Sequence, residues 1–178
     1  MLKILSDYIL LVRKKDARKD ILFSLLAAIV AIIALRYAAV PLNDLMARFG
    51  QLSGTMITAF SILAGFNTAS LTVLATADSP AARSLRERQS IDGSRPLIDQ
   101  ILVYFSWAIV VQLTMLLFSI TFMLVIVALP EGGAIIFPYA VKVAVWVLMA
   151  TGVFGVVYAI LLTLRNIAIL YYFLIAKS

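Results

Sequence analysis

The sequence predicts an all-α integral membrane protein with four transmembrane helices, and three observations support this fold class. First, 63% of the 178 residues are hydrophobic and only 13% are charged, whereas a soluble domain carries roughly 25% charged residues. Second, four segments are apolar over the roughly 20 residues that cross about 30 Å of hydrocarbon: residues 21–40, 53–77, 101–129 and 137–164. Third, the basic residues concentrate on one side of these spans.

The placement of lysine and arginine predicts the orientation of the chain. Basic residues precede the first span, occupy the loop at 78–99 and follow the fourth span, whereas the opposite loops carry little positive charge beyond Arg48. Cytoplasmic loops of membrane proteins are enriched in lysine and arginine. Both termini and the 78–99 loop are therefore predicted to be cytoplasmic, an N-in/C-in topology, and residues 41–52 are predicted to form an outward loop.

Residues 1–20 predict an amphipathic cytoplasmic helix that lies on the membrane surface ahead of a four-helix transmembrane domain at 21–178. At 100° per residue, six apolar residues share one half of this helix: Ile4, Leu5, Tyr8, Ile9, Leu11 and Val12. The basic run of Arg13, Lys14 and Lys15 is predicted to contact anionic lipid headgroups or a cytoplasmic partner. The segment is either a docking or sensing element or an interfacial anchor.

The loop at 78–99 contains a signal for a short helix, because Ser79 can cap a helix and Pro80 suits its first position. The expected helix covers residues 81–89. Its basic side chains are accompanied by acidic ones, so the surface is of mixed charge. Arg83, Arg86 and Arg88 either contact a cytoplasmic partner or are simply solvated.

The second span carries a continuous face of small and hydroxyl residues, here called the small-residue ridge. With 3.6 residues per turn, seven residues fall on this face: Thr58, Ser61, Gly65, Thr68, Ala69, Thr72 and Thr76. Ser61, Gly65 and Ala69 form a small-xxx-small series, which lets two helix backbones approach closely in lipid. The ridge is predicted to be a helix-packing or oligomer interface, with a pore lining as the alternative.

Asn67 lies on the opposite side of the second span. An amide that faces hydrocarbon without a partner costs several kcal/mol, so Asn67 is predicted to meet Gln112 in the third span. Contacts on two opposite faces of one helix predict that the chain assembles as a homo-oligomer, with a tetramer as one such assembly.

The fourth span repeats this pattern and then continues beyond it. Thr151, Gly155 and Ala159 predict a second packing face. After Arg165, residues 165–178 form an apolar C-terminal extension that is too short to span a bilayer alone. Either the helix continues past the headgroups and packs against a partner, or Arg165 enters the bundle. Since no acidic residue lies within the spans to pair with Arg165, the first alternative is expected, and Arg165 is predicted to contact a partner or lipid.

Several functional classes are disfavoured by residues that the chain lacks. It has no histidine and no cysteine, so we predict no catalytic residues, no metal site, no cofactor and no enzymatic activity. Proton-coupled transport is disfavoured because no carboxylate lies within a span. Direct binding of nucleic acid is not expected, since lipid headgroups account for the basic residues beside the spans.

The stretch FSILAGFNTASLTVLAT, from Phe60 to Thr76, is followed by a basic loop and two further spans. This organisation resembles small bacterial inner-membrane proteins encoded in defence operons, in particular the membrane subunits of Kiwa anti-phage systems. The resemblance implies an oligomeric multi-pass component of the inner membrane that senses phage-linked envelope disturbance and holds a cytoplasmic DNA-binding partner. It covers the architecture alone, so no functional residue is transferred.

Two functions follow from these patterns. The first is a non-catalytic oligomeric scaffold or sensor, which recruits a soluble cytoplasmic protein through its N-terminal helix, its arginine-bearing loop and its C-terminal extension. The alternative is a pore-forming effector or ion channel assembled from the hydroxyl-rich second span.

Overall fold

A computed structural model of the chain describes Tyr8 and residues 14–78, 80–89, 96–128 and 138–175. This part of the chain forms five helices: α1 (Lys14–Tyr37), α2 (Leu42–Thr76), α3 (Pro80–Glu87), α4 (Leu97–Val127) and α5 (Tyr139–Ile175). All except the short α3 are long and apolar enough to cross a membrane. No strand occurs in the described ranges, where the one β-bridge joins Gln89 to Pro96. The predicted helical fold with four candidate spans is confirmed at this level.

The helices form a row in which α2 packs on α4, α4 on α5, and α5 on α1, while α2 also touches α5. The first and last helices of the row are exposed along much of their length. On α1 the buried side chains of the described residues are Ser24 and Ala28. We call the end of the bundle that carries α3 the α3 end, and the opposite end the far end.

The prediction of an outward loop at 41–52 is wrong, because the helix α2 begins at Leu42 and includes the rest of this segment. Pro41 precedes the first turn of α2 and its carbonyl accepts a hydrogen bond from the Leu45 amide at 3.0 Å. The segment looks polar in sequence, but its apolar residues recur at helical spacing and are buried. Leu45, Met46 and Phe49 form a cluster at the far end with Phe122, Val145 and Met149. This burial stabilises about three additional turns of helix, at roughly 2 kcal/mol for each large apolar side chain removed from solvent.

Close approach of α5 to its neighbours requires glycine at two positions. A Cβ added to Gly152 would lie 3.2 Å from the ring of Phe118 and 3.3 Å from that of Phe49. A Cβ added to Gly155 would overlap the side chain of Met115. Both glycines therefore let α5 pack directly against α2 and α4.

Most of the predicted N-terminal helix lies outside the described residues, whereas the predicted C-terminal extension is described as far as Ile175. The predicted amphipathic helix at 1–20 lies outside the described residues up to position 13, except for Tyr8, so Arg13 is not described. Lys14 and Lys15 begin α1. At the other end, α5 continues through the predicted C-terminal extension as far as Ile175 without interruption. The short helix predicted at 81–89 is present as α3.

A candidate functional site at the α3 end

A chain of buried side-chain hydrogen bonds links α2, α4 and α5. Asn166 Nδ2 donates to Asn67 Oδ1 at 2.9 Å, and Asn67 Nδ2 donates to Gln112 Oε1 at 3.0 Å. Gln112 Nε2 then donates to Thr163 Oγ1 at 2.7 Å, and this hydroxyl donates to the Ala159 carbonyl at 2.9 Å. We call Asn67, Gln112, Thr163 and Asn166 the polar chain. The contact between Asn67 and Gln112 is the one that the sequence predicts, and it is confirmed.

The polar chain holds helices in register and has no ionisable member. All four side chains are buried, with Asn67 and Gln112 at 0% exposure. Each donor described above has an acceptor, so the large cost of burying an amide without a partner is avoided. Sliding α5 by one turn relative to α2 would displace Asn166 by about 5.4 Å and break the chain. The polar chain therefore fixes the relative height of three helices.

Asn67 consequently faces its own bundle. Contacts on both faces of the second span predict a homo-oligomer, but the Asn67 face is filled within one chain. The small-residue ridge on the other face is the surface that the single chain leaves uncovered.

Arg165 lies next to the polar chain and forms an ion pair with Asp20 of α1. Its side chain is 22% exposed and that of Asp20 is 14% exposed. The Arg165 guanidinium carbon also lies 5.6 Å from the centre of the Tyr104 ring. The expectation that Arg165 has no acidic partner is therefore wrong. Asp20 is the last residue before the first apolar span, and helix packing brings it to the same height as Arg165.

An aromatic cluster adjoins the ion pair and includes Tyr8, which is the described residue among positions 1–13. The Tyr8 ring stacks on Trp107 with 4.8 Å between centroids and lies edge-on to Tyr104 at 6.2 Å. The Tyr8 hydroxyl lies 3.3 Å from that of Tyr158, which also accepts a hydrogen bond from Trp107 Nε1 at 3.1 Å. Burial, reinforced by the contact with Tyr158, raises the pKa of Tyr8.

Helix α3 closes the same end of the bundle. Ala82 is fully buried in a cluster with Leu74, Phe105 and Phe173. This cluster joins α3 to the ends of α2, α4 and α5. The start of α4 lies beside the end of α3, because the Leu97 amide donates to the Arg88 carbonyl at 2.8 Å. The predicted loop is therefore an ordered cap over its described residues.

Two of the three arginines predicted to contact a partner have partners within the chain. Arg83 forms a two-bond contact with Asp78, at 2.9 and 3.0 Å, and its guanidinium holds the pKa of that carboxyl below its usual range. Arg86 donates to the carbonyls of Ala75 and Ala77 at 3.3 Å. These carbonyls lie at the end of α2, where backbone acceptors lack helical donors. Arg88 is exposed.

The last turns of α5 present an exposed apolar surface, here called the aromatic face: Ile167, Tyr171, Tyr172 and Ile175. Tyr171 is 59% exposed and Tyr172 is 71% exposed. Their rings contact each other edge-on at 5.8 Å. On the other side of the same turns, Phe173 is buried against α2, α3 and α4. The aromatic face is thus held by a packed helix.

The small-residue ridge is exposed along α2, including Ser61, Gly65, Ala69 and Thr72. Each of its five hydroxyls donates to the carbonyl four residues earlier, at 2.8–3.4 Å. A Cβ added to Gly65 would meet no atom within 4 Å. The ridge is therefore a smooth surface whose hydroxyl donors are already used.

The second predicted packing face divides between two environments. Gly155 and Ala159 are buried against α4 and α2, together with Thr163 of the polar chain, whereas Thr151 is exposed beside α1. Residues four apart rotate by about 40° per step on a helix of 3.6 residues per turn. The series consequently turns from the outer surface at Thr151 to the interior at Thr163.

Sequence reasoning did not identify Asp20, Trp107, Tyr158 or Asn166. A signal existed for Asn166, because it is the one side-chain amide between residues 139 and 175 and needs a partner as Asn67 does. No sequence signal existed for the tyrosine and tryptophan contacts, because an aromatic residue in an apolar span can face lipid as readily as the interior of the bundle.

Comparison of the chain with known protein families, with characterised proteins and with solved structures found no match.

Proposed function

We propose that the chain is a multi-pass membrane protein that assembles as a homo-oligomer and serves as a non-catalytic scaffold or sensor. In this proposal the α3 end faces the cytoplasm and the aromatic face recruits a soluble protein partner. A role in anti-phage defence in the bacterial inner membrane, by sensing envelope disturbance, is the biological setting that the resemblance implies.

The aromatic face is the observation that carries the proposal. It lies beyond the Asp20–Arg165 pair, and the residues from 166 to 175 extend about 15 Å along the helix axis. Arg18 and Lys19, which are exposed on α1, lie at about the height of the pair. Basic side chains at this height suit the headgroup layer. The ends of α2, α4 and α5 would then project past the membrane as a helical stalk.

The dimensions of the helices support such a stalk. With 35 and 37 residues, α2 and α5 are about 52 and 55 Å long, against a hydrocarbon thickness of about 30 Å. An exposed aromatic surface on a rigid stalk is typical of a protein interface, since tyrosine contributes a large contact area with little conformational entropy to lose. The α3 cap packs on the opposite side of α5 through Phe173 and so holds the end of the stalk in place.

Removal of the aromatic face tests the recruitment of a partner. The double variant Tyr171→Ser/Tyr172→Ser should reduce recovery of the copurifying partner by about tenfold or more, since two aromatic anchors contribute roughly 2 kcal/mol or more to an interface. The measurement is quantitative mass spectrometry after affinity purification in mild detergent. The matched control is Tyr37→Ser/Tyr139→Ser, which removes two exposed tyrosines at the far end.

Equal recovery of the same proteins with both double variants would contradict a recruiting role for the aromatic face. Loss of recovery in the control as well would indicate a general effect on membrane insertion or solubility, which also removes support for the proposal.

A channel is the second candidate, and the exposed hydroxyls of the small-residue ridge are the observation in its favour. Hydroxyl oxygens that donate to their own helix still offer lone pairs to a cation. However, the ridge needs no water to satisfy its donors, which favours packing over a wet pore. Ion flux through liposomes containing the chain should stay at background over the full range of applied voltages. A flux that Thr72→Val abolishes would favour the channel instead.

A further inference from the structure

An apolar groove of about 500 Å³ lies between α1 and α5. Three residues of each helix form most of its walls: Leu25, Ile29 and Ile32 of α1, and Ala150, Thr151 and Phe154 of α5. Thr151 contributes the one polar side chain of the lining, and its hydroxyl donates to the Val147 carbonyl at 2.9 Å. The surface that the groove offers to a ligand is therefore almost entirely apolar.

A cation lies at the far-end mouth of the groove. On a helical wheel, Arg36 falls within about 60° of Leu25, Ile29 and Ile32, so it continues the groove-facing side of α1. It lies about 6 Å beyond Ile32 and about 16 Å beyond Leu25 along the axis. Its guanidinium carbon is 5.5 Å from the centre of the Trp146 ring on α5. The two helices that form the groove thus also supply the arginine and the indole at its mouth.

Each part of this arrangement matches one part of a phospholipid. Guanidinium groups bind phosphate through charge-assisted hydrogen bonds, and stacking on an indole leaves the N–H edge of the group accessible. Tryptophan and arginine are the side chains that concentrate at the membrane interface. The distance from Arg36 to Leu25 is close to half of a hydrocarbon layer of about 30 Å. That is the depth reached by an acyl chain of one leaflet.

We propose that α1 and α5 form a phospholipid site, in which Arg36 holds the headgroup phosphate and one acyl chain occupies the groove. The site belongs to the leaflet at the far end. It requires the membrane-spanning arrangement but not the scaffold role. A second copy of the chain is a poorer occupant, because the small-residue ridge lies on α2 and the groove ends on a cation at headgroup height.

Two variants test the site from its two ends. Thr151→Phe fills the groove. The hydroxyl that this substitution removes donates only to the Val147 carbonyl of its own helix, so no contact between helices is lost. Arg36→Gln removes the charge at the mouth. The chain is reconstituted into vesicles of phosphatidylethanolamine and phosphatidylglycerol and extracted in mild detergent. Retained phospholipids are then counted by native mass spectrometry. The wild-type chain should retain one phospholipid per subunit, and each variant should lower the occupied fraction about tenfold.

Two controls separate the site from general lipid contact. Thr114→Phe adds the same bulk, with loss of a hydroxyl that likewise bonds to its own helix, at an exposed position of α4 outside the groove lining. Arg48→Gln removes an exposed cation of α2 near the far end. Both controls should retain phospholipid like the wild type. The proposal is overturned if the wild-type chain retains none, if both test variants retain as much as the wild type, or if the controls lose as much as they do. A change in the mass of the assembly with Thr151→Phe, at constant phospholipid, would identify the groove as a subunit contact.

Discussion

At the scale of single residues, the polar chain determines how the long helices align. Apolar side chains alone specify register weakly between helices that are apolar on most sides, because many offsets bury similar areas. Asn67, Gln112, Thr163 and Asn166 remove this ambiguity, since their donors and acceptors meet at one offset only. These four residues therefore contribute to the specificity of the helix alignment as well as to the stability of the bundle.

Replacing Gln112 with leucine should destabilise the bundle by about 1–3 kcal/mol, because the substitution removes two interhelical hydrogen bonds and leaves the buried Asn67 amide with one fewer acceptor. The measurement is the unfolding midpoint in detergent micelles. Thr114→Val is the control, since this exposed hydroxyl of α4 donates only to the Val110 carbonyl. Equal midpoints for the two variants would show that the polar chain does not stabilise the fold.

The ion pair between Asp20 and Arg165 offers a second test at this scale. Asp20→Asn and Arg165→Gln should each lower stability, and the double variant should lose less than the sum. The expected coupling energy is about 1–3 kcal/mol, as for contacting charges that are largely removed from water. Unfolding of the four chains of this cycle measures it directly. Additive losses would mean that the two side chains do not act as a pair.

The residues of the site differ in how far the sequence could predict them. Asn67 and Gln112 were predictable as a pair because an amide in an apolar helix demands a partner and few candidates exist. Asp20 was not assigned to Arg165, because the predicted first span began one residue after it and the packing of α1 on α5 was unknown. A contact of this kind cannot be predicted until it is known which helices are neighbours in the folded bundle.

At the scale of helices, the chain uses small residues in two different ways. Gly155 and Ala159 let α5 approach α4 and α2 inside the bundle. The small-residue ridge on α2 has no such neighbour within the described chain. In the proposed assembly it is the surface on which a second copy packs.

Substitution of Gly65 and of Gly155 by leucine should therefore affect two different properties, the assembly of subunits and the stability of one subunit. Gly65→Leu should leave the subunit folded and lower the mass of the assembly, because a side chain there meets no atom of its own chain but blocks close helix approach. Gly155→Leu should destabilise the subunit itself, by about 2 kcal/mol or more, since it must displace Met115. Size-exclusion chromatography with light scattering measures mass, and thermal unfolding measures stability. An assembly unchanged by Gly65→Leu would show that the ridge is not an interface.

The extent of the helices was only partly predictable. Long apolar runs identified four spans, because length and hydropathy determine whether a segment can cross a bilayer. The first turns of α2 were missed, since Asn43, Asp44 and Arg48 make the segment look like a loop. All three are exposed, and the helix there depends on burial of the intervening apolar residues. A hydropathy threshold does not detect such an amphipathic end.

At the scale of the whole molecule, the orientation in the membrane can be measured with unusual clarity because the chain contains no cysteine. Gln89→Cys at the α3 end and Asn43→Cys at the far end each introduce a single thiol at an exposed position. The positive-inside distribution predicts that a membrane-impermeant maleimide added to intact spheroplasts labels Asn43→Cys and not Gln89→Cys. The reverse labelling would place the α3 end outside and exclude a cytoplasmic partner there.

In the proposed function, several copies of this bundle together hold a soluble protein at the α3 end. The most direct test is the mass and composition of the wild-type complex, purified from membranes in mild detergent and measured by native mass spectrometry. We expect an integral number of chains greater than one, with a soluble protein bound in a fixed ratio. A chain that emerges as a monomer without a bound protein would rule out the proposed function.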